Sequence, residues 1–330
     1  MPVDPATFLT QVYCWLDQYC ADLPRAHPGP PCRMSDSEVL TLLVVARFTG
    51  KSERGILRWA ATALTPPGFS ALLSQSAFNR RARRLSGGLA TVLSRIATEL
   101  GVADDHYEIV DGLSVPLAQR CRGERHRLFT PEQANVGRGG AGKGWYYGVS
   151  LLLSVSASGP ITGCVVAPAN TGERWALSAL LTWRADPTAL PDPEAALADR
   201  GARTARYVGP TGDLLGPAMA GQAVTGYYLA DAGFRGRHWR DYWHQDLSAT
   251  VMTAETLGPP LRHWFHHARQ PIETVNALLT DVLHVRTPQA RTQGGLLTRI
   301  LAACVACNLG MLINRQLNRP PFALGTLCNV

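Results

Sequence analysis

Residues 144–168 read GWYYGVSLLLSVSASGPITGCVVAP, and this stretch decides the fold class. Two apolar runs flank the turn signal SASGP at 156–160, which predicts a β-hairpin. Upstream, HYEIVDGLSVPL (106–117) reads as a strand ending in a turn at Asp111-Gly112. Downstream, Thr171-Gly172-Glu173 is expected to cap a helix running to about Trp183. TGYYLADAGF (225–234) reads as a strand with Asp231 near its end, HWRDYWHQ (238–245) as a helix, and DLSATVMTAE (246–255) as a further strand. Strands mixed with helices place residues 105–330 in the α/β (α+β) class, around a mixed sheet. Residues 185–224 are rich in Pro, Gly and Ala and show no period, so they are expected to form a long insertion or loop.

The first 104 residues have a different character. Residues 6–20 carry Phe8, Val12, Trp15, Leu16 and Tyr19 at helical spacing. SDSEVLTLLVVARF (35–48) opens with a capping box, Ser35 as N-cap and Glu38 three residues later. KSERGILRWAATAL and SQSAFNRRARRL predict two further helices, the second carrying Arg80, Arg81, Arg83 and Arg84. Several short helices with a basic last member resemble a helix-turn-helix, and any small helical bundle has the same pattern. The expected division is therefore a helical, DNA-binding region at 1–104 and a mixed-sheet domain at 105–330.

The charge agrees with an anionic partner. The chain has 330 residues, a formal net charge of +7 and a pI near 9.1. All basic residues except Lys51 and Lys143 are arginines, which suit bidentate phosphate binding and also accumulate in GC-rich genomes. Residues 47–84 hold eight bases against one acid, Glu53. Eight scattered cysteines without a secretory signal argue against a disulfide framework and fit a reducing cytoplasm. Cys304-x-x-Cys307 lies in an apolar helical run, and His263-x3-His267 has no acid or Cys at metal spacing; both read as structural. Arg299 interrupts the most apolar segment, so no membrane span is expected.

RQPIETVNALLTD (269–281) predicts a helix with Pro271 in its first turn and Glu273 near its start. An acid there complements the helix dipole by about 0.3–1 kcal/mol. Taken with Asp111 and Asp231, it also reads as the third member of a site. Strand ends in a mixed sheet converge at one edge, and a neighbouring helix N-terminus brings its acid to the same place. Three hard oxygen donors without His or Cys select Mg²⁺, with Mn²⁺ able to substitute.

The ordered blocks IVDGLSVP, GKGWYYGVSLLLSVSASGPITGCVVAPAN, YYLADAGFRG and RQPIETVNALL resemble bacterial insertion-sequence transposases of the DDE class. Within that class the chain is most similar to the nine-eighty-two family of insertion sequences, and MSDSEVLTLLVV and SQSAFNRRARRL extend the resemblance over most of its length. The resemblance implies an RNase H-like catalytic domain in which Asp111, Asp231 and Glu273 form the catalytic, metal-binding triad. It implies two Mg²⁺ ions clamping the scissile phosphate, with water and then a freed 3′-OH attacking in line. Arg269 matches the arginine of the family's Tyr–Arg–Glu–Lys signature and is expected to hold DNA phosphate, with Lys143 a second candidate. The Tyr position of that signature holds His266 and the Lys position holds Thr280. Double-stranded DNA, at transposon ends and target, is the implied partner, and a homodimer the implied active species. Two other readings remain open at this stage: a transposase-derived DNA-binding protein without activity, and a metal-dependent nuclease that cleaves without joining.

Overall fold

The computed structural model describes residues 3–21, 23, 33–63, 69, 71–123, 125, 128–139, 144–186, 189 and 225–327. Lys143 and nearly all of the 185–224 insertion lie outside the described residues. The chain forms two compact units, one comprising Met1–Leu100, Ala277–Ala290 and Gly294–Val330, the other Gly101–Asn276 and Arg291–Gln293.

The first unit is helical: α1 (Pro5–Cys20), α2 (Asp36–Phe48), α3 (Glu53–Ala63), α4 (Gln75–Arg84), α5 (Ser86–Glu99) and a long C-terminal helix, Gln293–Gln316. The capping box at α2 forms as expected. Ser35 Oγ accepts from the Glu38 N–H at 3.1 Å, and the Glu38 carboxylate accepts from the Ser35 N–H at 2.5 Å. The C-terminal helix is buried without interruption from Ile300 to Asn314, the signature of a helix enclosed on all sides. It is long and apolar enough to cross a membrane, yet here it is the core of a helical unit. This differs from the expected division at residues 104/105, which assigned the whole C-terminus to the sheet domain. The reason is physical: a helix apolar on every face has to be surrounded, and the apolar faces of the N-terminal helices meet that need.

One expected DNA-contact residue, Arg81, has a structural role here, as does Arg47 of the basic segment. Arg81 donates to Asp36 Oδ1 through Nε and Nη2 at 3.0 and 2.6 Å and to the Met34 carbonyl at 2.5 Å. Arg47, counted with the basic segment, is buried, and desolvation lowers its pKa to about 10 with Arg299 adding to the effect. Arg299 in turn pairs with Glu53 at 2.6 Å. Arg54, Arg58, Arg80, Arg83 and Arg84 are exposed.

The second unit is a six-stranded mixed sheet with helices. In chain order it contains β1 (Glu108–Gln119), the single turn α6 (Arg120–Gly123), β2 (Asn135–Arg138), β3 (Trp145–Ser156), β4 (Ile161–Pro168) and α7 (Glu173–Ala185). Then come β5 (Tyr227–Ala230), α8 (Arg237–Leu247), β6 (Thr250–Met252), α9 (Gly258–Ala268) and α10 (Gln270–Ala277). The hairpin β3–β4 forms as read, and β1 pairs antiparallel with the other edge of β3. The β1–β3 register shifts between Pro116 and Ala118, where proline has no N–H to give to the ladder. β5 joins β1 in parallel and β6 joins β5 in parallel. The short strand β2, not foreseen in the sequence, shares one edge of β3 with β4.

α7 and α8 cover one face of this sheet. Trp175, Leu180, Trp183, Trp239 and Trp243 pack onto Val110, Leu152, Val165, Tyr228 and Val251. The Trp243 indole N–H donates to Ser178 Oγ at 2.8 Å, which satisfies its polar edge inside the core. From the last turn of α7, Arg184 forms a buried pair with Glu108 at 2.8 Å, supported by hydrogen bonds to Tyr228, Ser154 and Thr162.

Candidate carboxylate site

Asp111 does not end its strand, as the sequence suggested. It is the fourth residue of a twelve-residue strand. What ends there is the pairing with β5, whose last register partner is Val110 with Ala230. The next residue on each strand is an aspartate, Asp111 on β1 and Asp231 on β5. Parallel pairing sets neighbouring strands about 4.8 Å apart, so register alone makes the two aspartates neighbours. Asp231 closes β5 by accepting the Gly233 N–H at 2.7 Å, a turn that Asp forms readily.

A third carboxylate enters from α7. Side chains alternate along a strand, so Gly112, next to Asp111, faces the opposite side of the sheet. A Cβ on Gly112 would lie 2.5 Å from Oε1 of Glu173, and one on Gly233 would lie 2.8 Å from its Oε2. The two glycines leave the space that the Glu173 carboxyl occupies, and a Cβ on Gly233 would also lie 2.9 Å from Asp231 Oδ1. Arg174 fixes this end of α7 by donating to the Gly233 carbonyl at 2.9 Å. The sequence reading took Glu173 as a helix-start residue only. The signal available was Gly112 and Gly233, one or two positions after each aspartate.

The electrostatics follow from burial. Burial raises Glu173 to about 7, with Asp231 and then Asp111 repelling its charge and Arg269 and Arg174 offsetting part of that. Its place in the first turn of α7 favours the anion by only about 0.3–1 kcal/mol, so desolvation wins. Burial also raises Asp111, to about 6, with Arg269 lowering it and Asp231 and Glu273 raising it. Arg269, at the C-cap of α9, brings Nη2 to 3.8 Å from Asp111 Oδ1, and its buried Nε has no hydrogen-bond partner. The expected phosphate-binding arginine therefore stands at the carboxylates.

Glu273 is in the first turn of α10 and exposed. Asn276, three residues further along the same helix, donates to Asp111 Oδ2 at 3.0 Å, while its Oδ1 is buried and unpartnered. Residues three apart lie on one helix face, so Glu273 shares the face of α10 from which Asn276 reaches Asp111. Among the described residues, no three His, Cys, Asp or Glu side chains are close enough together to hold one metal ion. Asp111, Asp231 and Glu173 lie near enough to repel one another's charge, and Glu273, exposed, adds to the repulsion on Asp111.

A scan against protein-family models and searches of curated proteins and of solved structures return no match to this chain.

Proposed function

We propose that the chain is a DNA transposase of the DDE class that cuts DNA at the ends of an insertion sequence and joins the freed 3′-OH to target DNA. The observation that carries this reading is the β1–β5 register, which makes Asp111 and Asp231 neighbours beside Arg269. The sheet order supports an RNase H-like catalytic domain: a three-stranded antiparallel meander, β1–β3–β4, is continued on the far side of β1 by the parallel strands β5 and β6.

The residues fit Mg²⁺ or Mn²⁺. They offer only hard oxygen donors, and burial first, then repulsion among the carboxyls, raises Asp111 and Glu173, a penalty that a bound cation would relieve. Asp111 and Asp231 would hold the metal, and because no three carboxylates among the described residues stand at ligand distance of one ion, Glu173 or Glu273 would have to close on it as a third. When bound, two such ions polarise the scissile phosphate and make water and the 3′-OH better nucleophiles. Arg269 holds the phosphate in place with a planar, permanently charged group and neutralises Asp111 when DNA is absent. Asn276 fixes the orientation of the Asp111 carboxylate. Arg54, Arg58, Arg80, Arg83 and Arg84 give the helical unit an exposed cationic surface for the DNA backbone. Joining brings two ends together, so the active species is a dimer on DNA.

The test is cleavage and joining of the element's own end sequences by purified protein in Mg²⁺. Cut ends and joined product support a transposase. Cut ends that never join favour the nuclease reading, and DNA binding with neither favours an inactive descendant.

A further inference from the structure

The imidazoles of His263 and His267, on α9, face each other across one helical turn. Their Nε2 atoms are 3.3 Å apart, their ring centroids 4.4 Å, and both residues are exposed. A tetrahedral ion bound to two imidazoles at about 2.0–2.1 Å sets the two nitrogens about 3.3–3.4 Å apart. A square-planar ion with the same bond lengths would bring them to about 2.9 Å. The observed spacing is therefore that of the edge of a zinc tetrahedron. The same spacing lets one neutral imidazole donate to the other, a hydrogen bond that a bound ion would replace.

We infer that His263 and His267 form a surface binding site for a divalent transition ion of the zinc class, with water completing the coordination. Neutral imidazole suits Zn²⁺ and not Mg²⁺, so this site is chemically distinct from the carboxylate cluster and does not depend on the function assigned to that cluster. Bridging positions i and i+4 locks the last turn of α9. Arg269 is the cap of that turn, so the ion braces the segment that aims the arginine at Asp111. His266 lies between the pair in sequence and points elsewhere, its ring 6.0 Å from that of Phe265, and it is not a ligand.

The experiment is calorimetric titration of tag-free protein with Zn²⁺ at pH 7.5, followed by amide hydrogen exchange with and without the ion. Wild-type protein is compared with His263→Ala, His267→Ala and His266→Ala. All three positions are exposed and helical, where alanine is well tolerated. Removing a group that only hydrogen-bonds to a metal ligand already weakens metal binding by about 10–100-fold, so loss of either histidine is expected to weaken the site by at least about tenfold. His266→Ala is expected to bind as wild type, and Zn²⁺ to slow exchange at residues 264–269 in both. Exposed Cys14 and Cys121 offer other zinc ligands, which is why the difference between variants is the readout. Undiminished binding in both His263→Ala and His267→Ala, or no binding by wild type, overturns the proposal.

Discussion

Replacing Glu173 by Gln removes one charge from the carboxylate cluster and keeps the side chain's shape. Moving a carboxyl from its ordinary 4.5 to about 7 corresponds to about 3 kcal/mol, at ~1.4 kcal/mol per decade of proton affinity. The sign follows from linkage. A carboxyl whose pKa is raised on folding contributes stability that is complete below 4.5 and is lost as pH rises through about 7. Between pH 5 and 8 the metal-free wild type should therefore lose about 1–3 kcal/mol that Glu173→Gln retains. For a unit of this size each kcal/mol moves the melting temperature by about 2–4 °C. Scanning calorimetry in EDTA at pH 5, 6, 7 and 8 should show the variant gaining about 3–8 °C on the wild type across the series. Millimolar Mg²⁺ at pH 8 should then stabilise the wild type more than the variant. A difference between the two proteins that stays flat with pH would refute the picture of Glu173 as a buried member of a like-charged cluster.

Four other outcomes are expected. Glu273→Gln should fold and bind DNA as wild type and lose cleavage by several orders of magnitude; near-normal cleavage in Mg²⁺ at saturating DNA would return Glu273 to a helix-dipole role. Changing Arg80, Arg83 and Arg84 together to Ala should weaken DNA binding and flatten its salt dependence by about one charge per lost phosphate contact, read from affinities over a salt series. Arg81→Ala should instead lower the melting temperature, because it removes the Asp36 and Met34 contacts, and an altered salt slope with unchanged stability would reverse that assignment. Arg184→Met should destabilise the sheet unit by about 3–5 kcal/mol in denaturant titration, since it leaves Glu108 charged and buried without its partner. Adding Glu108→Gln to that variant should recover part of the loss.

Local signals in the sequence determined the secondary elements that depend on neighbours in the chain. The SASGP turn between apolar runs specified the β3–β4 hairpin, and Ser35 with Glu38 specified the start of α2, because turns and caps are completed within a few residues. Asp111, Asp231 and Arg269 were marked in the sequence by a strand, a turn or a family-like motif, and the fold does bring them together. Tertiary structure decided the rest. The parallel register of β1 and β5, which makes the aspartates neighbours, joins segments more than a hundred residues apart, and no local pattern encodes it. Glu173 carries the same helix-start signature as any acid in a first turn. Only the approach of α7 to the gap left by Gly112 and Gly233 turns it into a site residue. Arg81 and Arg47 count as surface charge in the sequence, and the pairing of Arg81 with Asp36 and the burial of Arg47 beside Arg299 exist only once the helices pack. The C-terminal helix shows the same limit from the other side: composition reveals that all its faces are apolar, whereas which elements cover them is a property of the folded chain.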